Sequence, residues 1–143
     1  MEISFQSATV DDAPSLAEMN LQLIRDEGHR NPMSLMELTQ RMTGWLEGEY
    51  EAVLFQQATR NVGYALYRRE PEHIYLRQFF VEQASRRSGI GRAAISWMWA
   101  HVWTEADRIR LDVLVGNTSA HLFWLAAGFT DYCITMEATR QQH

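Results

Sequence analysis

The chain contains no lysine: all thirteen of its basic residues are arginine, set against eighteen aspartates and glutamates. That excludes Schiff-base chemistry on a lysine amine and a Walker-type phosphate loop, since both need a lysine. A formal charge of −5 is the wrong sign for a general nucleic-acid binder, which carries a basic footprint, and it is compatible with a cationic substrate. The single cysteine, Cys133, cannot close an internal disulfide, as expected of a chain kept in the reducing cytoplasm. No apolar run approaches the ~18 residues of a membrane span. The opening Met1-Glu2-Ile3-Ser4-Phe5 has neither a positive segment nor an apolar stretch, so no secretion signal is expected. With three prolines and no linker, repeat or low-complexity stretch, residues 1–143 read as one domain, long enough to bury a real core.

What is present is an ordered alternation of short elements. Ile3, Phe5 and Ser7 alternate with polar neighbours as a first strand. Asp11 or Asp12 caps a helix with Pro14 in its first turn, turning Leu16, Met19, Leu23 and Ile24 inward until Gly28 and Asn31-Pro32 break it. Ser34 and Glu37 form a capping box for a second helix that ends near Gly44 to Gly48. Strands are expected at Tyr50–Gln57, Val62–Arg69 and His73–Val81, with turns at Arg60-Asn61 and Glu70-Pro71-Glu72. A helix over Gly89–Thr104, a strand over Ile109–Val115, a helix over Ser119–Ala127 closed by Gly128, and a strand over Thr130–Ala138 complete a mixed α/β (α+β) domain.

The most informative stretch is Arg86-Arg87-Ser88-Gly89-Ile90-Gly91-Arg92, between the strand that ends at Val81 and the next helix. Glycines allow a tight turn and close backbone approach, and the helix behind them aims unpaired N–H groups and its positive dipole end at the turn. With three arginines this is a site for phosphate or pyrophosphate. Gly89-Ile90-Gly91-Arg92-Ala93-Ala94 also fits the dinucleotide fingerprint G-x-G-x-x-A. The context argues against that ligand: about seven residues separate Val81 from Gly89, four strands precede the motif, and too little chain follows for a second nucleotide-binding half.

Phe79 to Gly91 resembles the GCN5-related N-acetyltransferase (GNAT) family. Arg86, Gly89 and Gly91 match its R/Q-x-x-G-x-G/A signature, and Val81 has the spacing of the valine that ends its fourth strand. Asn117, Ala120, Gly128 and Phe129 fit a second family motif, N-x-x-A-x-x-x-Y-x-x-x-G-F, at every position but one. The resemblance covers nearly the whole chain. It implies a single domain with a mixed, mostly antiparallel sheet flanked by helices, whose fourth and fifth strands splay apart around the pantetheine arm of acetyl-coenzyme A. Acetyl-coenzyme A is the implied co-substrate, with no metal.

By the same resemblance, Phe79 and Val81 pair their backbones with pantetheine amides as an added strand would. The backbone from Arg87 through Ser88, Gly89 and Ile90 to Gly91 and Arg92 holds the pyrophosphate. Arg86, Arg87 or Arg92 pairs with the nucleotide's 3′-phosphate, unless the three form only a solvated rim. Asn117 bonds the pantetheine arm or caps the next helix. The backbone N–H of Phe79 or Phe80 faces the oxyanion of the tetrahedral intermediate.

The one mismatch is at the acid. The family's tyrosine is replaced by Trp124, whose indole donates a hydrogen bond but cannot act as a general acid. Tyr75 and Tyr132 are candidate substitutes, and Tyr75 also stands where some branches carry a glutamate base. Glu27 and His29 lie between the first two helices, which in the family wall the acceptor site, and are candidates to bind or deprotonate an amine. The expected activity is acetyl transfer to a primary amine of a small molecule or peptide. The alternatives are a non-catalytic acyl-coenzyme A-binding or sensor module, and an interaction protein that keeps the fold alone. Trp99 and Trp103 lie opposite the main apolar face of their helix. Together with the single strand available after the last helix, they lead us to expect a homodimer.

Overall fold

The computed structural model describes residues 2–28 and 30–140; His29, a candidate above, lies outside them. A five-stranded sheet runs in chain order β1 (Ile3–Ser7), β2 (Tyr50–Gln57), β3 (Arg60–Arg69), β4 (Ile74–Val81), β5 (Ile109–Arg110). The first four strands are antiparallel neighbours, and β4 and β5 are parallel. Helices α1 (Ala13–Glu27) and α2 (Leu35–Glu47) precede β2, α3 (Ile90–His101) joins β4 to β5, and α4 (Thr118–Ala126) follows.

Period-two alternation divides the core between the two faces of the sheet. Val53, Phe55, Ala65, Leu76 and Ile74 pack with Ile90, Ala94, Met98 and Trp124 on the α3 side. Ala52, Leu54, Tyr64, Leu66 and Phe80 pack with Leu16, Leu23 and Met42 on the α1–α2 side. Helix α2 starts as the sequence indicates; Asp12 stands at the N-cap of α1, but its carboxylate accepts from Thr9 N–H at 2.8 Å instead of capping the helix. The Ser34 hydroxyl accepts from Glu37 N–H at 3.2 Å and the Glu37 carboxylate accepts from Ser34 N–H at 2.8 Å, while α1 carries proline in its first turn.

A bulge in β4 matters for everything below. Leu66 pairs with Gln78 but Tyr67 pairs with Leu76, which leaves Arg77 as the extra residue. The bulge resets the alternation, so Arg77 and Gln78 both reach the α1–α2 face.

Four expectations need correction. The turn expected at Arg60-Asn61 falls at Ala58-Thr59, with Ala58 left-handed at φ 57°, so both residues belong to β3 and pair with β2. The strand expected over Ile109–Val115 pairs only at Ile109 and Arg110, opposite Ile74 and Tyr75, because its continuation diverges from β4. Thr130–Ala138 forms no strand; the segment is exposed throughout, and no β-strand among the described residues pairs with it. Trp103 is not part of a surface patch. The chain turns back after α3, and its indole is buried edge-on against Tyr67 at 5.6 Å between ring centres. Trp99 rests on Trp103 and stays partly exposed.

Candidate active site

Because β5 leaves β4 after two residue pairs, the β4 edge from Leu76 to Val81 has no strand beside it. Backbone groups alternate across a strand, so half of those along this edge face the gap. Glu82 N–H donates to Val62 C=O at 2.8 Å, and the carbonyl of Phe80 points at Gly63. Phe80 and Glu82 therefore turn toward β3, and Phe79 and Val81 turn toward the gap. Of the two residues expected to offer an oxyanion donor, Phe79 turns its backbone to the gap and Phe80 turns its own to β3.

The gap leads from Val81 to the glycine turn. A 3₁₀ turn at Gln83–Ser85 precedes Arg87 at φ 67° and Gly89 at φ 85°, both left-handed. Gly89 is the N-cap of α3 and brings no side-chain cap. The first helical bond runs from Ala93 N–H to Gly89 C=O at 3.0 Å, so the N–H groups of Ile90, Gly91 and Arg92 have no partner within the helix. The Ser88 hydroxyl is tied to Ser85 C=O at 2.5 Å and stiffens the turn. An open strand edge thus leads to a helix start whose first N–H groups lack helical partners, the arrangement that suits an anion.

The three arginines differ. Arg86 Nε donates to Val81 C=O at 2.7 Å and Nη2 pairs with Asp26 at 2.5 Å, so it braces the turn against α1. Arg87 and Arg92 are exposed and make no ion pair among the described residues. Asn117 caps α4, its Oδ1 accepting from Ala120 N–H at 3.2 Å.

Trp124 is buried, edge-on to Phe79 at 5.1 Å and Phe129 at 5.0 Å, so the residue in the acid position packs directly behind the gap. Tyr132 is far more exposed, with its ring under Arg110 at 4.5 Å and its hydroxyl accepting from that guanidinium at 3.3 Å. Glu27 ends α1 and is half-buried, and its charge helps push up the pKa of the buried Tyr64 phenol, after the larger effect of burial. That phenol donates to Gln78 Oε1 at 2.7 Å. Glu27, Tyr64 and Gln78 thus form a polar line from α1 to the strand beside the gap.

Tyr75 donates to Asp112 Oδ2 at 3.0 Å, tying β4 to the chain just past β5 where the strands part. Burial, then this bond to a carboxylate, pushes its pKa up to about 12, so at neutral pH it is a donor and not a base. The raised value also has a stability consequence. Between pH 10 and 12 the unfolded tyrosine loses its proton while the folded one keeps it, so stability falls with rising pH in that window. Discounted for its partial exposure, Tyr75 contributes about 1 kcal/mol of that fall. Urea unfolding at pH 9 and pH 11.5 measures it, and Tyr75→Phe is expected to flatten the slope by this amount.

A strand edge opened by splaying, ending on an uncapped helix start, defines the class: an acyl-coenzyme A-dependent acyltransferase fold. The chain belongs to the acetyltransferase (GNAT) family, whose model matches residues 18–129. No curated protein matches the sequence significantly. Among solved structures, a possible acetyltransferase of Clostridium difficile 630 superposes with a TM-score of 0.78 at 16% identity, covering 98% of each chain. The aminoglycoside N-acetyltransferase AAC(6')-Iy, solved with coenzyme A, gives 0.77 at 12% identity, covering 97% of this chain and 95% of its own. A predicted acetyltransferase of Clostridium acetobutylicum, solved with acetyl-coenzyme A, gives 0.76 at 16%, covering 99% of each. These likenesses establish the fold. Among the described residues, no helix is long and apolar enough to cross a membrane.

Proposed function

We propose that the protein transfers the acetyl group of acetyl-coenzyme A to a primary amine of a small molecule or peptide, by direct attack. The open β4 edge leading to the bare start of α3 carries this reading. The pantetheine arm bonds to Phe79 and Val81, the pyrophosphate to N–H groups around Gly89–Arg92, and Asn117 Nδ2 serves the arm while its Oδ1 caps α4.

The acceptor nitrogen attacks the thioester carbonyl. A C–N bond forms, the C–S bond breaks, and the electron pair leaves on sulfur. Phe79 N–H stabilises the intermediate oxyanion. A simple amine has a pKa near ~10 and needs help to lose its proton; Glu27 accepts it, directly or through one water. Coenzyme A leaves as a thiolate, which a thiol pKa of about 8.5 permits without a strong acid. Trp124 and Tyr75 act at most as hydrogen-bond donors. Isotope-labelled acetyl transfer across an amine panel tests the reading. Glu27→Gln is expected to lower kcat about a hundredfold with coenzyme A affinity retained.

A second reading, an acyl-coenzyme A sensor without transfer, draws support from the missing ionisable group at Trp124. Tight coenzyme A binding by calorimetry with no turnover on any amine would favour it. We also propose that the protein works in the cytoplasm as a homodimer. The unpaired segment 130–138 exposes Tyr132, Ile134 and Met136 at alternate positions, as a strand awaiting a second copy would. Light scattering at high micromolar concentration is expected to give twice the chain mass; a strictly monomeric mass counts against it.

A further inference from the structure

We propose that the acceptor amine also carries an oxyanion, a carboxylate or a phosphate, held by Arg41 and Arg77 beside Trp45; this rests on the acetyl-transfer reading. Both guanidinium carbons lie close to the Trp45 ring centre, Arg41 at 4.5 Å and Arg77 at 4.7 Å. Arg68 adjoins them, 5.1 Å from the ring centre of Tyr50. Three positive charges thus gather on the α1–α2 face, and the only carboxylate paired with them among the described residues is Glu70, 3.3 Å from Arg68. Burial first, and then the nearby charge of Arg77, lowers the pKa of Arg41.

The hydrogen bonding has the same bias. Arg68 and Arg77 both donate to the Tyr50 hydroxyl oxygen, at 3.0 and 3.3 Å. With its oxygen accepting twice, Tyr50 has its own proton left to give. Arg41 Nη2 donates to Asn20 Oδ1 at 3.1 Å. Asn20 Nδ2, Arg41 Nε and Arg68 Nε are buried without an acceptor. Of the four such atoms among the described residues, these three donors share one cluster. Buried polar groups ordinarily find partners, so a surplus of donors with stacked like charges points to a missing anionic acceptor. Arg77 is exposed and Arg41, Trp45 and Tyr75 are half-buried, so a ligand reaches the cluster from solvent.

Position links the cluster to the reaction. Arg77 is the bulged residue next to Gln78, four residues and about 13 Å back along β4 from Val81, where the cradle begins. The donor lies along the strand edge, and the arginines lie on the sheet face that α1 and α2 wall. An amine bound by its oxyanion here presents its nitrogen toward Phe79. The overall negative charge of the chain is compatible with a cationic substrate, whereas this cluster sets three arginines beside a single paired glutamate, Glu70.

The test titrates the coenzyme A-saturated protein with glutarate and, separately, with inorganic phosphate, following arginine Nε–H signals by NMR. We expect at least one of the two to shift Arg41 and Arg77. Arg41→Gln and Arg77→Gln should each weaken that binding about tenfold, with coenzyme A affinity kept within about twofold. Which probe binds more tightly distinguishes carboxylate from phosphate. In transfer assays, amines bearing the favoured oxyanion should exceed their uncharged amides and a polycationic amine about tenfold in kcat/KM, an advantage that Arg77→Gln removes. Neither probe binding, or binding indifferent to both substitutions, overturns the proposal. Absence of all transfer fails the acetyl-transfer reading instead, and the titrations still decide the cluster.

Discussion

Gly89→Glu is expected to weaken coenzyme A binding about a hundredfold while the protein stays folded. No atom lies within 4 Å of where a Cβ would stand, so the side chain fits. The backbone objects mildly: φ is 85°, and leaving glycine there costs about 1–2 kcal/mol of stability. The larger effect is electrostatic. A carboxylate at the N-cap of α3 competes for the N–H groups of Ile90, Gly91 and Arg92 and repels a diphosphate bound to them. Like charges about 4 Å apart near a protein surface repel by about 4 kcal/mol before screening, enough for two orders of magnitude in affinity. Gly89→Ala separates the two contributions, keeping the backbone cost without the charge, and should bind within a few-fold of the native protein. Calorimetry with coenzyme A, alongside circular dichroism, reads both. An unchanged affinity in Gly89→Glu would remove the pyrophosphate from this turn.

Gly63→Ala should have the greatest effect on stability. A Cβ at Gly63 would stand 2.2 Å from the carbonyl oxygen of Phe80 and 2.8 Å from the Phe55 ring. The first clash is with backbone, in the strand pair that presents Phe79 and Val81 to the gap, so relief requires β3 and β4 to separate. We expect about 3 kcal/mol of destabilisation or more, a fall in Tm of roughly 10 °C. Gly91→Ala makes a useful contrast. Its Cβ would meet ring atoms of Phe123 at 3.0 Å and of Phe79 at 3.7 Å, all of them side-chain atoms that can move without parting two strands. Thermal unfolding of the two variants should rank them in that order; a Gly63→Ala protein as stable as the native one would refute the packing argument.

The acid position illustrates what a motif reveals without its surroundings. Trp124 is visible in sequence as the departure from the expected tyrosine. Its burial against Phe79 and Phe129 shows in addition that the indole fills space behind the gap. Tyr75 reads in sequence as a stand-in acid or base. Asp112, to which no role attaches from sequence, holds its proton in place and makes it a poor base. Both corrections come from neighbours distant in the chain, which local pattern does not specify.

The lengths of β5 and of the segment after α4 are not legible in the sequence for a related reason. Ile109–Val115 and Thr130–Ala138 have the composition of strands, but a strand exists only where a partner edge meets it. The splay removes that edge from the first beyond Arg110, and no strand among the described residues supplies one to the second.

Residue types at fixed short spacings are enough to mark the end of β4, the glycine turn and the cap of α4. Gly89 before a helix, Val81 eight residues earlier and Asn117 at a helix start act through their own backbone and nearest turns, so the sequence alone specifies them. The α1–α2 face is different. Arg41, Arg68 and Arg77 are three arginines among thirteen, scattered over 37 positions, and nothing local distinguishes them. They meet because β3 pairs with β4, because a bulge turns Arg77 to the same side as Gln78, and because α2 brings the Trp45 ring close to the guanidinium carbons of both Arg41 and Arg77, at 4.5 and 4.7 Å. Charge accumulates through space rather than along the chain. Only the tertiary structure could decide that three arginines of a net acidic protein gather on one face of the sheet.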